Sequence, residues 1–168
     1  MDIVSHAIVG RMLATKKQNS SKDIWLVMLF GALPDFFQIP LYIYIGYINH
    51  RPFFWPLNSD WIGFRATHPG WMLWWDIPHS FLTLLFIVTP IVFLLKLNKL
   101  VIWAYFFHIF LDLFTHTGEW GVKPFFPLQY MVNGFTDAWA WNPIYYPVCW
   151  SILWLIVILI EKIRLQRK

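Results

Sequence analysis

The chain has 168 residues, 58% of them hydrophobic, 21% aromatic and 13% charged, with a mean hydropathy of +0.52. Soluble domains average about 45–50% apolar and about 25% charged residues, and a chain this short has too little interior to hide the excess. Disorder is therefore excluded, and an ordinary soluble domain fits poorly. The single cysteine, Cys149, excludes an internal disulfide and a cysteine-built zinc cage. The net charge of +4 is gathered in short segments between apolar runs, which points to a membrane as partner and away from nucleic acid. Residues 1–168 read as one integral membrane domain.

In chain order, Met1-Asp2-Ile3-Val4-Ser5-His6 has no basic lead, and its apolar stretch ends at Ala14 with no small-residue cleavage site. It is expected to stay as a short helix carrying His6, not to act as a secretory signal. Four apolar stretches follow, at 24–48 (broken by Pro34 and Pro40), 81–95 (with Pro90), 100–115 and 146–160. Several fall short of the ~20 residues of a comfortable span, so the tryptophans of the two long connections are expected to form an interfacial belt. An open sheet edge cannot face lipid. The predicted fold is thus an all-α membrane bundle of about four spans plus the N-terminal helix.

Orientation follows from Lys16, Lys17 and Lys22, from Lys96 and Lys99, and from Lys162, Arg164, Arg167 and Lys168. An up-down trace places all three groups on one face, which the positive-inside rule makes cytoplasmic. The long aromatic connections then lie outside, as in a multi-pass protein of a bacterial inner membrane.

Ionisable residues inside such runs are costly and tend to be paired or functional. His6, Asp35 and His79 each lie in or at the mouth of an apolar stretch, and His108, Asp112 and His116 form H-x3-D-x3-H on the third span, with Glu119 just beyond. On a helix, four-residue steps keep all three side chains within an arc of about 80°. Two imidazoles and a carboxylate converging in this way suit a divalent transition metal, zinc first. Counted at about 1.5 Å per residue from the basic face, the six residues share one layer in the outer half of the bilayer.

Taken together, these pieces resemble the YdjM-like family of inner-membrane-associated metal-dependent hydrolases. The matching segments are Met1-Asp2-Ile3-Val4-Ser5-His6-Ala7, Gly31-Ala32-Leu33-Pro34-Asp35, His79-Ser80, His108 to His116, then Pro124-Phe125 and Trp139. The resemblance implies His6, Asp35, His79, His108, Asp112 and His116 as metal-site residues. More distantly the pattern is similar to the helical zinc-dependent phospholipase C and P1 nuclease group, which implies a phosphoesterase with two or more zinc ions.

On that reading Asp112, four residues from each histidine, is placed to bridge two ions. Glu119 or Asp76 would accept the proton from water, and Arg51, Arg65 and Lys123 are the cations available to a phosphate. A site in the outer leaflet suits a lipid or another membrane-associated substrate. Two rivals stay open: a metal-binding or metal-transport protein without chemistry, and a structural membrane protein whose polar residues glue helices together.

Overall fold

The computed structural model describes residues 1–166; Arg167 and Lys168 of the basic tail lie outside the described residues. The fold is all-helical, with one isolated bridge between Val122 and Val132 and no strand among the described residues. Its helices are α1 (Ile3–Leu13), α2 (Ser21–Phe36), α3 (Ile39–Ile48), the short α4 (Phe64–Thr67) and α5 (Leu73–Asp76), α6 (Phe81–Leu94), α7 (Leu100–Thr115) and α8 (Tyr145–Gln166).

Local chemistry sets these boundaries. Asp2 starts α1 by accepting from the amides of Val4 and Ser5. Ser20 and Asp23 cap each other's backbone at the start of α2. Asn98 accepts from the Leu100 amide at the start of α7. Within α6, residues Leu84–Val88 form a π turn. The cause is Pro90, which has no N–H and whose ring crowds the carbonyl one turn earlier, so the helix widens to accommodate it.

Helices α1, α2 and α7 pack against one another at the centre of the fold. The crossing of α1 and α2 is a glycine contact: a Cβ on Gly10 would meet the Val27 carbonyl at 2.7 Å, and one on Gly31 would meet the His6 carbonyl at 2.8 Å. Small residues at such a seam let two backbones approach closely, and this brings His6 over the C-terminal half of α2.

The three basic segments meet at one end of the bundle. The Asn98 amide donates to Asn19 Oδ1 (2.8 Å), the Lys17 ammonium to the Arg164 carbonyl (2.8 Å), and Arg11 pairs with Glu161 (2.5 Å). Burial pushes the Glu161 carboxyl up, but the Arg11 guanidinium and the Lys16 amide outweigh it, so its pKa sits below the ordinary glutamate value.

One helical run, Ser21–Ile48, is long and apolar enough by length and composition to cross a membrane; Phe81–Leu94 and Leu100–Thr115 are shorter apolar helices. Helix α8 buries only Val157 among its described residues, while Val148, Ile152, Leu155 and Leu159 are exposed.

The tryptophans do not all form a belt. Trp55 and Trp74 are exposed, but Trp61, Trp75 and Trp120 are buried. With Tyr42 and Trp139 they stack into an aromatic layer joining the two long connections. In a chain this small, the connections must fold back over the helix ends to shield the polar residues there.

Candidate metal centre

Asp35, His79, His108 and Asp112 are all buried, and one ligand atom from each can be chosen so that all lie within 4.8 Å of one another. Helix α2 delivers Asp35 in its last turn, after Pro34. The turn between α5 and α6 delivers His79, and α7 delivers His108 and Asp112 on one face.

Both imidazoles are oriented by the backbone. His79 Nδ1 lies 2.8 Å from the Trp75 carbonyl, and His108 Nδ1 lies 2.7 Å from the Gly31 carbonyl. A carbonyl only accepts, so each Nδ1 carries a proton, and in the neutral imidazole each Nε2 presents a lone pair. These two Nε2 atoms lie 3.2 Å apart. His108 Nε2 is 3.1 Å and His79 Nε2 3.5 Å from Asp112 Oδ2, while Asp35 Oδ1 is 3.7 Å and 3.6 Å from the same two nitrogens.

The result is four electron-rich atoms facing a common point with no donor among them. Of these four atoms, Asp112 Oδ2 is buried without a hydrogen-bond donor, an arrangement that costs free energy unless a cation is shared. Tetrahedral zinc with ligands at about 2.0–2.1 Å sets neighbouring ligand atoms about 3.3–3.4 Å apart. The five separations given above, 3.1–3.7 Å, straddle that value, so the four residues fit a metal ion. Gln38 supports the centre by donating its amide to Asp35 Oδ1 (3.0 Å), and Trp75 stacks on His79 with centroids 3.7 Å apart.

The other oxygen of Asp112 faces a different set. Oδ1 lies 3.0 Å from His6 Nε2 and 3.2 Å from His116 Nε2. The Met1 nitrogen donates to Oδ1 and to Thr115 Oγ1 (2.8 Å), and lies 2.9 Å from His116 Nε2. His6 and His108 stack at 3.6 Å, and the Nδ1 atoms of His6 and His116 are buried without partners.

His116 is not on the helix, contrary to the H-x3-D-x3-H expectation of one continuous face. Helix α7 ends at Thr115, and His116 is extended at φ −132°, ψ 137°. Its carbonyl accepts from Gly134 (2.7 Å) while that of Phe114 accepts from Phe135 (2.9 Å). That pairing pulls the chain off the helix yet leaves the ring against Asp112.

The remaining charged candidates tie loops together. Asp76 pairs with Arg65 (2.7 Å) and Lys123 (3.0 Å). Glu119 accepts from the Gly63 and Arg65 amides (2.9 and 2.8 Å), and its carbonyl accepts from Arg65 Nε. Arg51 grips Asp60 with two nitrogens, and this holds the Asp60 carboxyl below the usual aspartate pKa.

Sequence reasoning missed Gln38, Trp75, Thr115 and the Met1 nitrogen. Only Gln38 carried a signal, one turn after a buried aspartate on the α2–α3 junction. No family model matches the chain, and neither the curated proteins nor the solved structures contain a match.

Proposed function

We propose that this chain is an integral membrane hydrolase of about four spans, dependent on zinc and acting on a phosphoester bond of a lipid-type substrate. The observation that carries the reading is that Asp112 Oδ2 faces His79 and His108 while Oδ1 faces His6 and His116 beside the Met1 nitrogen, so Asp112 would be the residue shared by any ions the centre holds. The exposed apolar surface of α8 and the basic groups gathered at one end support the membrane part: an apolar patch this extended marks a lipid or partner contact, and the basic end faces the cytoplasm.

Ions held in this centre would supply Lewis-acid chemistry, lowering the pKa of water and polarising a phosphoryl oxygen. The residues supply the geometry. His79 and His108 are fixed in the Nε2-ligand form by the Trp75 and Gly31 carbonyls. His6 and His116 serve the Oδ1 side. Trp75 and the aromatic layer exclude water from the buried face.

The proton acceptor is assigned to Asp35 through Oδ2, the oxygen that is not among the four ligand atoms and has no hydrogen-bond partner, because Glu119 accepts from two backbone amides and Asp76 is paired with Arg65 and Lys123. The test is hydrolysis of a phospholipid by protein in nanodiscs, measured with chelator and after zinc is restored. Activity should vanish and return, and His79→Ala should abolish it. Glu119→Gln at full metal content should leave turnover within a few-fold; a loss of about 10²-fold would return the base to Glu119. Metal-replete protein inert towards phosphoesters would favour metal binding or transport without chemistry.

A further inference from the structure

A cavity of about 620 Å³ lies between α2, the 70–78 segment, α6 and α7, walled by chain neighbours of the centre's ligands and by none of the ligands themselves. Its wall includes Leu33, Pro78, Ile87, Val88, Ile91 and Tyr105. The volume is that of a small-molecule site, about 300–1,000 Å³.

Three of its wall elements also carry a ligand of the centre. Leu33 precedes Asp35 by two residues, Pro78 precedes His79 by one, and Tyr105 lies one turn before His108 on the same helix face. The fourth wall, α6, contributes Ile87 and Val88 from the π turn that Pro90 imposes, and Ile91 beyond it. Ile87, Val88 and Ile91 lie towards the Lys96–Lys99 end of the bundle and Phe37, Leu73 and Trp74 towards the aromatic connections, so the cavity runs along the helices past the level of the ligands.

Its wall offers little to a polar guest. The Tyr105 hydroxyl donates to the Pro78 carbonyl (2.7 Å) and the Thr83 hydroxyl to the Ile77 carbonyl (2.6 Å). Both hydroxyls are thus turned into the protein. A peptide seated here would leave its own N–H and C=O groups without partners, at a cost of several kcal/mol in total, whereas a hydrocarbon chain loses nothing.

We infer that this cavity seats one hydrocarbon chain of a membrane phospholipid and holds its phosphoester at the metal centre. The inference rests on the membrane phosphoesterase reading above and names its substrate class. Ile87 and Ile91, both exposed at the cavity mouth, are the gate positions; Tyr105 and Val88, both buried, form its floor.

The experiment uses the full chain in nanodiscs of phosphatidylethanolamine and phosphatidylglycerol, with a trace of phosphatidylglycerol carrying a diazirine midway along one acyl chain. Photolysis and peptide mapping read where the chain sits. Surrounding bilayer lipid reaches Ile152 and Leu155 on α8 but not the buried Tyr105 and Val88. Label is expected on Tyr105 and Val88 in the unaltered protein, and the Ile87→Trp/Ile91→Trp variant should reduce it at least about tenfold, as displacing a few buried methylenes does, with α8 labelling unchanged. Ile152→Trp should leave the Tyr105 label as it was. Label confined to α8, or undiminished at Tyr105 in the filled variant, overturns the inference. Tyr105 labelling in a protein that hydrolyses no phosphoester contradicts the reading of the centre and leaves the chain site standing; hydrolysis without Tyr105 labelling does the reverse.

Discussion

His79 and His108 hold their Nε2 atoms 3.2 Å apart, each with its Nδ1 proton committed to a backbone carbonyl, of Trp75 and Gly31 respectively. Neither nitrogen can donate to the other. With the carboxylates of Asp35 and Asp112 beside them, the two neutral imidazoles form a buried group that could hold a metal ion.

The residue whose carbonyl orients His108, Gly31, is also the one through which α2 touches α1. Gly31→Ala places a Cβ 2.8 Å from the His6 carbonyl, so the helices must part. Overpacking of this kind costs about 1–3 kcal/mol. The variant should melt at lower temperature and bind zinc more weakly, read by thermal denaturation in detergent and by competition with a chromogenic chelator.

Gln38 donates its side-chain amide to Asp35 Oδ1. Gln38→Leu keeps the bulk and removes the hydrogen bond. Loss of such an orienting partner typically lowers metal affinity about 10–100-fold. The same chelator competition should show that drop, while the melting temperature of the metal-free protein stays close to that of the parent.

Arg11 and Glu161 join α1 to α8 just past the last apolar run. Because the folded-state pKa of Glu161 is depressed, its contribution to stability is complete above the unfolded value of about 4.3. That contribution is lost as pH falls through the lower folded value. The melting temperature should therefore drop across acidic pH, and Glu161→Gln should flatten that segment of the curve and lower the plateau above it.

Much of this arrangement was legible in the sequence. The H-x3-D spacing and the count of residues from the basic ends put Asp35, His79, His108 and Asp112 in one layer, and side-chain types announced their chemistry. The carbonyls that orient the histidines were not legible, since every residue has one and only the fold decides which is in reach. The exit of His116 from α7 was hidden for a similar reason: pairing with Gly134 and Phe135 is non-local and overrides the helical spacing. The burial of Trp61, Trp75 and Trp120 was misread because an aromatic residue suits a lipid interface and a protein core equally well.

The proposed sidedness, with the three basic segments cytoplasmic, is open to test. With Cys149→Ser as background, a cysteine at Gln166 should be shielded from an impermeant thiol reagent on intact cells, and a cysteine at Asn58 in the aromatic connection should react. The opposite pattern would place the centre in the cytoplasmic half of the bilayer.

The most direct measurement is elemental analysis of the purified protein by plasma mass spectrometry after exhaustive dialysis, for the parent chain, Asp112→Ala and His108→Ala. Asp112 places one oxygen in each half of the centre, so the parent should retain stoichiometric zinc, His108→Ala should lose part of it and Asp112→Ala most of it. A parent chain free of transition metal, or stoichiometric metal kept by both variants, would contradict a metal centre built on Asp112.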